Sequence, residues 1–251
     1  MAIHLKSKSE IKLMRKSGRL AQHILNELGD AAVAGVTPRG VDALARRLLA
    51  SAGAKSPFLG YRGYPAAITV SVNDAIVHGI PSEVPFAPGD IASLDVGALL
   101  NGFIGDTAGT FPIGEISPRA QRLLRVTREA LHLGIEQAKV GNYTGDIGWA
   151  IQNHVERHGY TVVKALVGHG VGRSMHEDPQ VPNHGKPGTG TKLKEGMTIA
   201  IEPMVNEGTD DVRQLSDKWT YVTADGLLSA HYEHTVAVLS DGPEILTVDE
   251  K

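Results

Sequence analysis

Apolar residues recur at helical spacing in four stretches of the chain. Residues 9–28 carry Ile11, Met14, Leu20, Ile24, Leu25 and Leu28 largely on one face, with Ser9 placed to cap the first turn. Thr37-Pro38 reads as an N-cap followed by a first-turn proline; Val41, Leu44, Ala45, Leu48 and Leu49 then form an apolar face that Gly53 closes. Ser117-Pro118 repeats that start, and Leu123, Leu124, Val126, Ala130, Leu131, Leu133, Ile135 and Ala138 predict a long helix to about Val140. Residues 144–158 form a fourth amphipathic stretch, stopped by Gly159. Strand-like runs lie between and after these helices, at 66–72, 162–167, 197–206 and 230–239. The order helix, helix, strands thus occurs twice, at an offset of roughly one hundred residues. GVDALA at 40–45 echoes GDIGWA at 145–150. The pattern predicts an α/β (α+β) chain of two related halves, about 9–114 and 115–251, behind a short lead at 1–8. No linker composition separates the halves, so they read as one domain.

The strongest local signal is the run IASLDVGALLNGFIGDTAGTF at 91–111, in which Asn101-Gly102 is flanked by alternating apolar residues and predicts a two-residue hairpin turn. With that turn Leu100 faces Phe103, Asp95 faces Ala108 and Asp106 faces Gly97. Both aspartates then project from the same face as diagonal neighbours, about 7–8 Å apart at their β-carbons. Two metal ions roughly 3.5–4 Å apart would fit such a gap. Two carboxylates placed there without a cation would repel and would be costly to bury. A single aspartate in either place reads better as an exposed residue or a strand end.

Composition narrows the chemistry. At 41% hydrophobic and 21% charged the chain is that of a globular protein rather than a disordered one. A formal charge of -3 leaves no basic excess for a dedicated nucleic-acid binder. With no cysteine, thiolate metal sites, disulfides and a cysteine nucleophile are excluded, so any metal must be held by His, Asp or Glu. No apolar run approaches the roughly 20 residues of a membrane span, and the opening MAIHLKSKSE has no signal-like apolar core; the cytoplasm is the expected compartment.

The remaining polar candidates sit in apolar or glycine-rich settings. His169 is bracketed by Gly168 and Gly170, and the same loop carries His176 and His184. Glu202 is the only charge in MTIAIEPMVN, and Glu233 stands in the alternating run AHYEHTVAVL. A glutamate in such a strand is rarely fully buried unless paired or ligated, and a salt bridge is the competing explanation. Other chemistries fail on spacing. His176-Glu177 begins like HExxH, but Gln180 occupies the second histidine position; GHGVG lacks GxGxxG spacing, no phosphate loop is present, and Ser174 misses the GxSxG elbow. Asp95, Asp106, His169, Glu202 and Glu233 remain: one imidazole and four carboxylates, a hard donor set suited to manganese, iron(II), cobalt or zinc. Four negative charges balance two divalent ions.

These five residues, within LDVGALLNGFIGDTAGTF, VGHGVGRSMHEDPQVPNHG, IAIEPMVN and SAHYEHTVAV taken in order, resemble the bacterial, type I methionine aminopeptidases over almost the whole chain. The resemblance implies the pita-bread fold, in which two pseudo-symmetric halves bring a curved antiparallel sheet, covered by helices, around a dinuclear metal centre. It implies that Asp95 chelates one ion, that Asp106 and Glu233 bridge both, that His169 and Glu202 complete the shell, and that a hydroxide lies between the metals. The expected reaction is removal of N-terminal methionine from peptides and nascent chains with a small second residue, by attack of that hydroxide on the first peptide bond. Glu202 would shuttle the proton, and His78 and His176 match family histidines that contact substrate and stabilise the tetrahedral intermediate. Tyr61, Tyr64 and Trp219 match its pocket residues. Phe58 and Thr69 stand where many bacterial members have cysteine, and Met175 where an aromatic is common, so pocket shape is where this chain departs from the family. The family suggests a monomer. No long basic tail or extension is evident for ribosome docking, and Met1-Ala2 would make the chain's own N-terminus a substrate.

Two other readings compete. A proline-specific aminopeptidase or prolidase shares fold and ligands but usually carries an extra N-terminal domain. A non-catalytic binding module on the same fold should lack ligands, and none is missing.

Overall fold

The computed structural model describes residues 3–249, so Met1-Ala2 lies outside the described residues. Four helices form where the apolar periodicity places them: α1 (Lys8–Ala31), α2 (Pro38–Ser51), α3 (Pro118–Glu136) and α4 (Thr144–Arg157). The first begins two residues earlier than expected for its cap. Ser7, not Ser9, accepts from the Glu10 N–H while the Glu10 carboxylate accepts from the Ser7 N–H, a reciprocal capping box. Thr37 and Ser117 cap α2 and α3 as expected, each ahead of a first-turn proline. Helix α3 ends at Glu136 rather than near Val140, the chain turning through Gln137 and Ala138.

Fourteen strands follow in chain order: β1 (Thr69–Val72), β2 (Ala75–Val77), β3 (Ile91–Leu100), β4 (Phe103–Pro112), β5 (Thr161–Val162), β6 (Val167–Gly170), β7 (Glu177–Pro182), β8 (Thr198–Ile201), β9 (Met204–Asn206), β10 (Val212–Gln214), β11 (Tyr221–Thr223), β12 (Ser229–His231), β13 (Glu233–Leu239) and β14 (Gly242–Ile245). The main antiparallel sheet runs β1-β3-β4-β13-β8-β6-β7, with β14 beside β13. Asn101 and Gly102 both have positive φ, as the tight turn between β3 and β4 requires, and the register pairs Asp95 with Ala108 and Gly97 with Asp106 as derived from sequence. Three runs that read as single strands are broken. The 162–167 run splits between β5 and β6; the 197–206 run breaks at Glu202-Pro203, where proline has no N–H for a ladder; and the 230–239 run breaks at Tyr232.

The helices lie on one face of the sheet. Ala92, Leu94, Val96 and Ala98, alternate residues of β3, pack with α1 and α2, including Ile24, Leu28, Val41 and Ala45. In the second half Ile199, Ile201, Val236 and Val238 pack with Leu123, Leu131, Ile147 and Ile151 of α3 and α4. The halves meet where β4 lies beside β13, pairing Glu233 with Ala108 and His234 with Thr107, and again where β2 pairs with β11. Threonine hydroxyls complete the seam between β4 and β13. Thr235 Oγ1 accepts from the Asp106 N–H at 3.0 Å and donates to the Asp106 carbonyl at 2.8 Å. Thr107 donates to the Glu233 carbonyl, and Thr110 both donates to the His231 carbonyl and accepts from its N–H, each at 2.9 Å.

Candidate metal centre

Strand register alone places the polar residues on the face opposite the helices. Thr69 pairs with Asp95, Asp95 with Ala108 and Ala108 with Glu233, so these four share one face, and Asp106, two residues from Ala108, shares it too. Extending the β13–β8 pairing one step past His234 and Ile201 sets Glu233 opposite Glu202, just beyond the end of β8. Gly170 pairs with Ile199, which brings His169 to the same side. Five residues from five adjacent strands therefore converge, and no one of them depends on a long loop for its position.

Side-chain geometry agrees. One ligand atom from each of Asp106, His169 and Glu233 lies within 4.8 Å of the others. His169 Nε2 is 3.4 Å from Glu202 Oε1 and 3.8 Å from Asp106 Oδ2. The other ring nitrogen, Nδ1, lies 2.9 Å from the Gly170 carbonyl oxygen, which can only accept, so Nδ1 carries the proton. Burial holds the ring neutral, pulling its pKa down to about 3. Nε2 therefore presents a lone pair to carboxylate oxygens, an arrangement of acceptors facing acceptors that a cation between them resolves.

The carboxylates carry the same signature. Asp106 and Glu233 are 1% and 2% exposed, and Asp95 Oδ1, Asp106 Oδ1 and Glu233 Oε1 have no hydrogen-bond partner. Among the described residues no Lys or Arg is in ion-pair range of Asp95, Asp106, Glu202 or Glu233, which removes the salt-bridge explanation. Burial first, and the neighbouring carboxylates second, push Asp95, Glu202 and Glu233 well above the usual carboxylate range. Burial lifts Asp106 to about 7. Hard oxygen donors with unused lone pairs, one oriented imidazole and a fourfold negative charge fit divalent cations.

These residues floor a cavity of about 330 Å³ that is also lined by Phe58, Tyr61, Tyr64, Thr69, His78, Met175, His176 and Trp219. Every residue singled out from sequence for the site thus lines one cavity. Gly97 makes room for one wall, since a Cβ there would come within 2.4 Å of Pro57 Cγ and 3.1 Å of the Phe58 ring. Phe58, Tyr64 and Met175 are buried; Tyr64 and Trp219 meet edge to face with centroids 5.0 Å apart. His176 stands at the mouth, its ring 4.3 Å from that of His169 and its Nδ1 2.8 Å from the Tyr61 hydroxyl. His78 has φ +60, a sparsely populated conformation for a side-chain-bearing residue. Burial pulls its pKa down to about 4, and partial burial with the nearby Arg62 guanidinium lowers that of His176.

The sequence reading missed several lining residues: Arg62, Val77, Ala165, Leu166, Val167 and Met204. Apart from Arg62, in the aromatic loop, they are ordinary apolar residues that carry no motif. It also missed two neighbours of Glu202. Asn183 donates to the Glu202 carbonyl at 3.0 Å, and buried His231 brings Nε2 to 3.8 Å from Glu202 Oε2. His184, on the same loop as His169 and His176 but given no role from sequence, does not line the cavity.

The sequence pattern of metallopeptidase family M24 matches residues 12–240, and the chain belongs to that family. Within it the similarity is to methionine aminopeptidases. The chain is 51% identical to the methionine aminopeptidase of Clostridium acetobutylicum, over 99% of this chain and 100% of the relative. A crystal structure of a methionine aminopeptidase from Thermotoga maritima superposes with a TM-score of 0.97 at 46% identity, covering 99% of this chain and 100% of that one. The curled antiparallel sheet with its helices on one face is therefore the pita-bread fold. A prolidase from Pyrococcus furiosus superposes with a TM-score of 0.80 at 25% identity, over 98% of this chain but only 66% of that one.

Proposed function

We propose that the chain is a methionine aminopeptidase, removing N-terminal methionine from peptides and nascent proteins with a small second residue. The observation that carries this reading is the set of partnerless carboxylate oxygens and the oriented His169 at the floor of an apolar cavity. Asp95, Asp106, His169, Glu202 and Glu233 would hold two divalent ions, drawn from cobalt, manganese, iron(II) or zinc. Bound there, the ions would make hydroxide available near neutral pH and polarise the first peptide carbonyl.

The chain's own side chains account for the rest. Phe58, Tyr64, Met175 and Trp219 receive the unbranched, polarisable methionine side chain. The free α-amine meets one of the ions or a carboxylate that holds it, which selects the end of a chain over its interior. Glu202, held between His169 and His231, takes the proton of the attacking water and returns it to the leaving amine. Where the Tyr61 hydroxyl is the donor in its 2.8 Å contact with His176 Nδ1, the neutral ring carries its proton on Nε2 and offers a hydrogen bond to the developing oxyanion. His78, which lines the same cavity, gives a second contact to the substrate.

Metal-stripped protein supplemented with manganese or cobalt and offered Met-Ala-Ser and an Ala-Pro-type peptide tests the proposal. Cleavage of the first alone is expected. Cleavage of the second alone would favour the prolidase reading, and cleavage of neither under any metal would sink both.

A further inference from the structure

A second cluster of metal-binding side chains lies away from the cavity, between α3 and α4. Glu129 of α3, His154 of α4 and His158 at its C-cap each present one ligand atom, all within 4.8 Å of one another, and all three residues are half-buried. His154 Nε2 lies 3.1 Å from Glu129 Oε2. The two imidazoles are one helical turn apart, with centroids 4.4 Å apart and planes inclined at 45°. His158 Nδ1 is 2.8 Å from the His154 carbonyl oxygen. Because a carbonyl only accepts, Nδ1 carries the proton, and the neutral ring keeps its lone pair on Nε2. A backbone carbonyl holding one ring nitrogen while the other is free is the orientation typical of a ligating histidine.

We propose that Glu129, His154 and His158 bind one late first-row divalent ion, of the zinc, nickel or copper(II) type, which clamps α3 to α4. Two imidazoles and one carboxylate form a softer set than the carboxylate-rich cavity and discriminate against manganese and magnesium. In a tetrahedral zinc site with bonds of about 2.0–2.2 Å the ligand atoms stand roughly 3.3 Å apart. The 3.1 Å contact already meets that spacing, and half-exposed side chains can close the remainder by small rotations. Two arginines temper the affinity: Arg125 Nη1 lies 3.6 Å from Glu129 Oε1, and Arg122 donates to the His158 carbonyl at 3.0 Å. Arg125 is well exposed and free to swing aside. Without a metal, the same residues would form only a hydrogen-bonded pair beside a tilted neighbouring ring.

The full chain and its His158→Ala and Glu129→Gln variants, dialysed to equilibrium against buffered zinc and separately manganese, test the proposal by metal count. Wild type should retain one equivalent of zinc more than His158→Ala, with Glu129→Gln intermediate or equal to it, while the manganese count is the same in all three. Zinc should raise the thermal midpoint of wild type more than that of either variant. Copper(II) loaded into wild type should show nitrogen couplings that weaken in His158→Ala. An equal zinc count in wild type and His158→Ala would overturn the site. A manganese count that falls along with zinc would also overturn it, by showing that the substitution damages the cavity instead.

Discussion

Replacing Asp106 with asparagine in metal-stripped protein should make the fold more stable. Asp106 is 1% exposed, its Oδ1 has no partner, and burial raises its carboxyl to about 7 from 3.8. Between those values the folded chain keeps a proton that the unfolded chain has released, so stability falls as pH rises through the window and levels off above it. A tenfold change in proton affinity is about 1.4 kcal/mol, giving a burden of at most about 4 kcal/mol at pH 8 and less than half of that at pH 5. Asparagine removes that burden, and its amide can donate to the neighbouring carboxylates. Urea unfolding in a chelator should therefore place Asp106→Asn above wild type, with a gap that widens from pH 5 to pH 8. With metal restored the order should reverse, because the variant loses a ligand, and peptidase activity should be abolished. The reasoning fails if the stripped proteins unfold at the same urea concentration at pH 8, or if the gap is independent of pH.

Thr235→Val should cost about 1–3 kcal/mol in urea unfolding, since it strands the Asp106 N–H and carbonyl that the buried hydroxyl serves, and it should lower activity as well. His176→Ala should lower kcat by about 10²-fold with little change in KM, and Tyr61→Phe should lower it less; a change in KM alone would reduce His176 to a wall of the pocket. Gly97→Ala should raise KM for methionyl peptides without altering metal content, because the new methyl displaces Pro57 and Phe58. Burial pulls His234 down to about 4 from 6.5, so the unfolded chain takes up its proton first, and stability is lost as pH falls from about 6.5 towards 4. His234→Gln should flatten that acid limb by up to about 1.4 kcal/mol per pH unit in urea titrations of the metal-loaded protein.

The hairpin was legible because two kinds of local chemistry agree there: Asn-Gly accepts positive φ at both turn positions, and a period of two leaves a single register that keeps Leu94 and Val96 on the helix-covered face. That register carried Asp95 and Asp106 with it. Glu202 and Glu233 were legible as anomalies, charges in apolar runs, but the breaks beside them were not, because apolar periodicity continues straight across Pro203 and Tyr232. Pro203 was a usable signal, as was Ser7 three residues before Glu10. His231 and Asn183 had no such signal: their roles depend on which strand ends lie beside Glu202, a matter of tertiary pairing. Ala165, Leu166, Val77 and Met204 line the cavity by shape alone, and aliphatic residues at such places look like any other core.

The threonine seam between β4 and β13 joins two pieces of chain that each hold only part of the ligand set: Asp95 and Asp106 on one side, His169, Glu202 and Glu233 on the other. In a symmetric dimer such a set would assemble only at protein concentrations above the dissociation constant. Covalent connection replaces that requirement with an effective concentration set by the intervening chain, so the complete set forms at any dilution. The same arrangement makes the Asp106 amide, bonded to a side-chain hydroxyl, a local gauge of the joint. Its hydrogen exchange reports whether the two pieces are closed on each other, separately from whether either piece is folded.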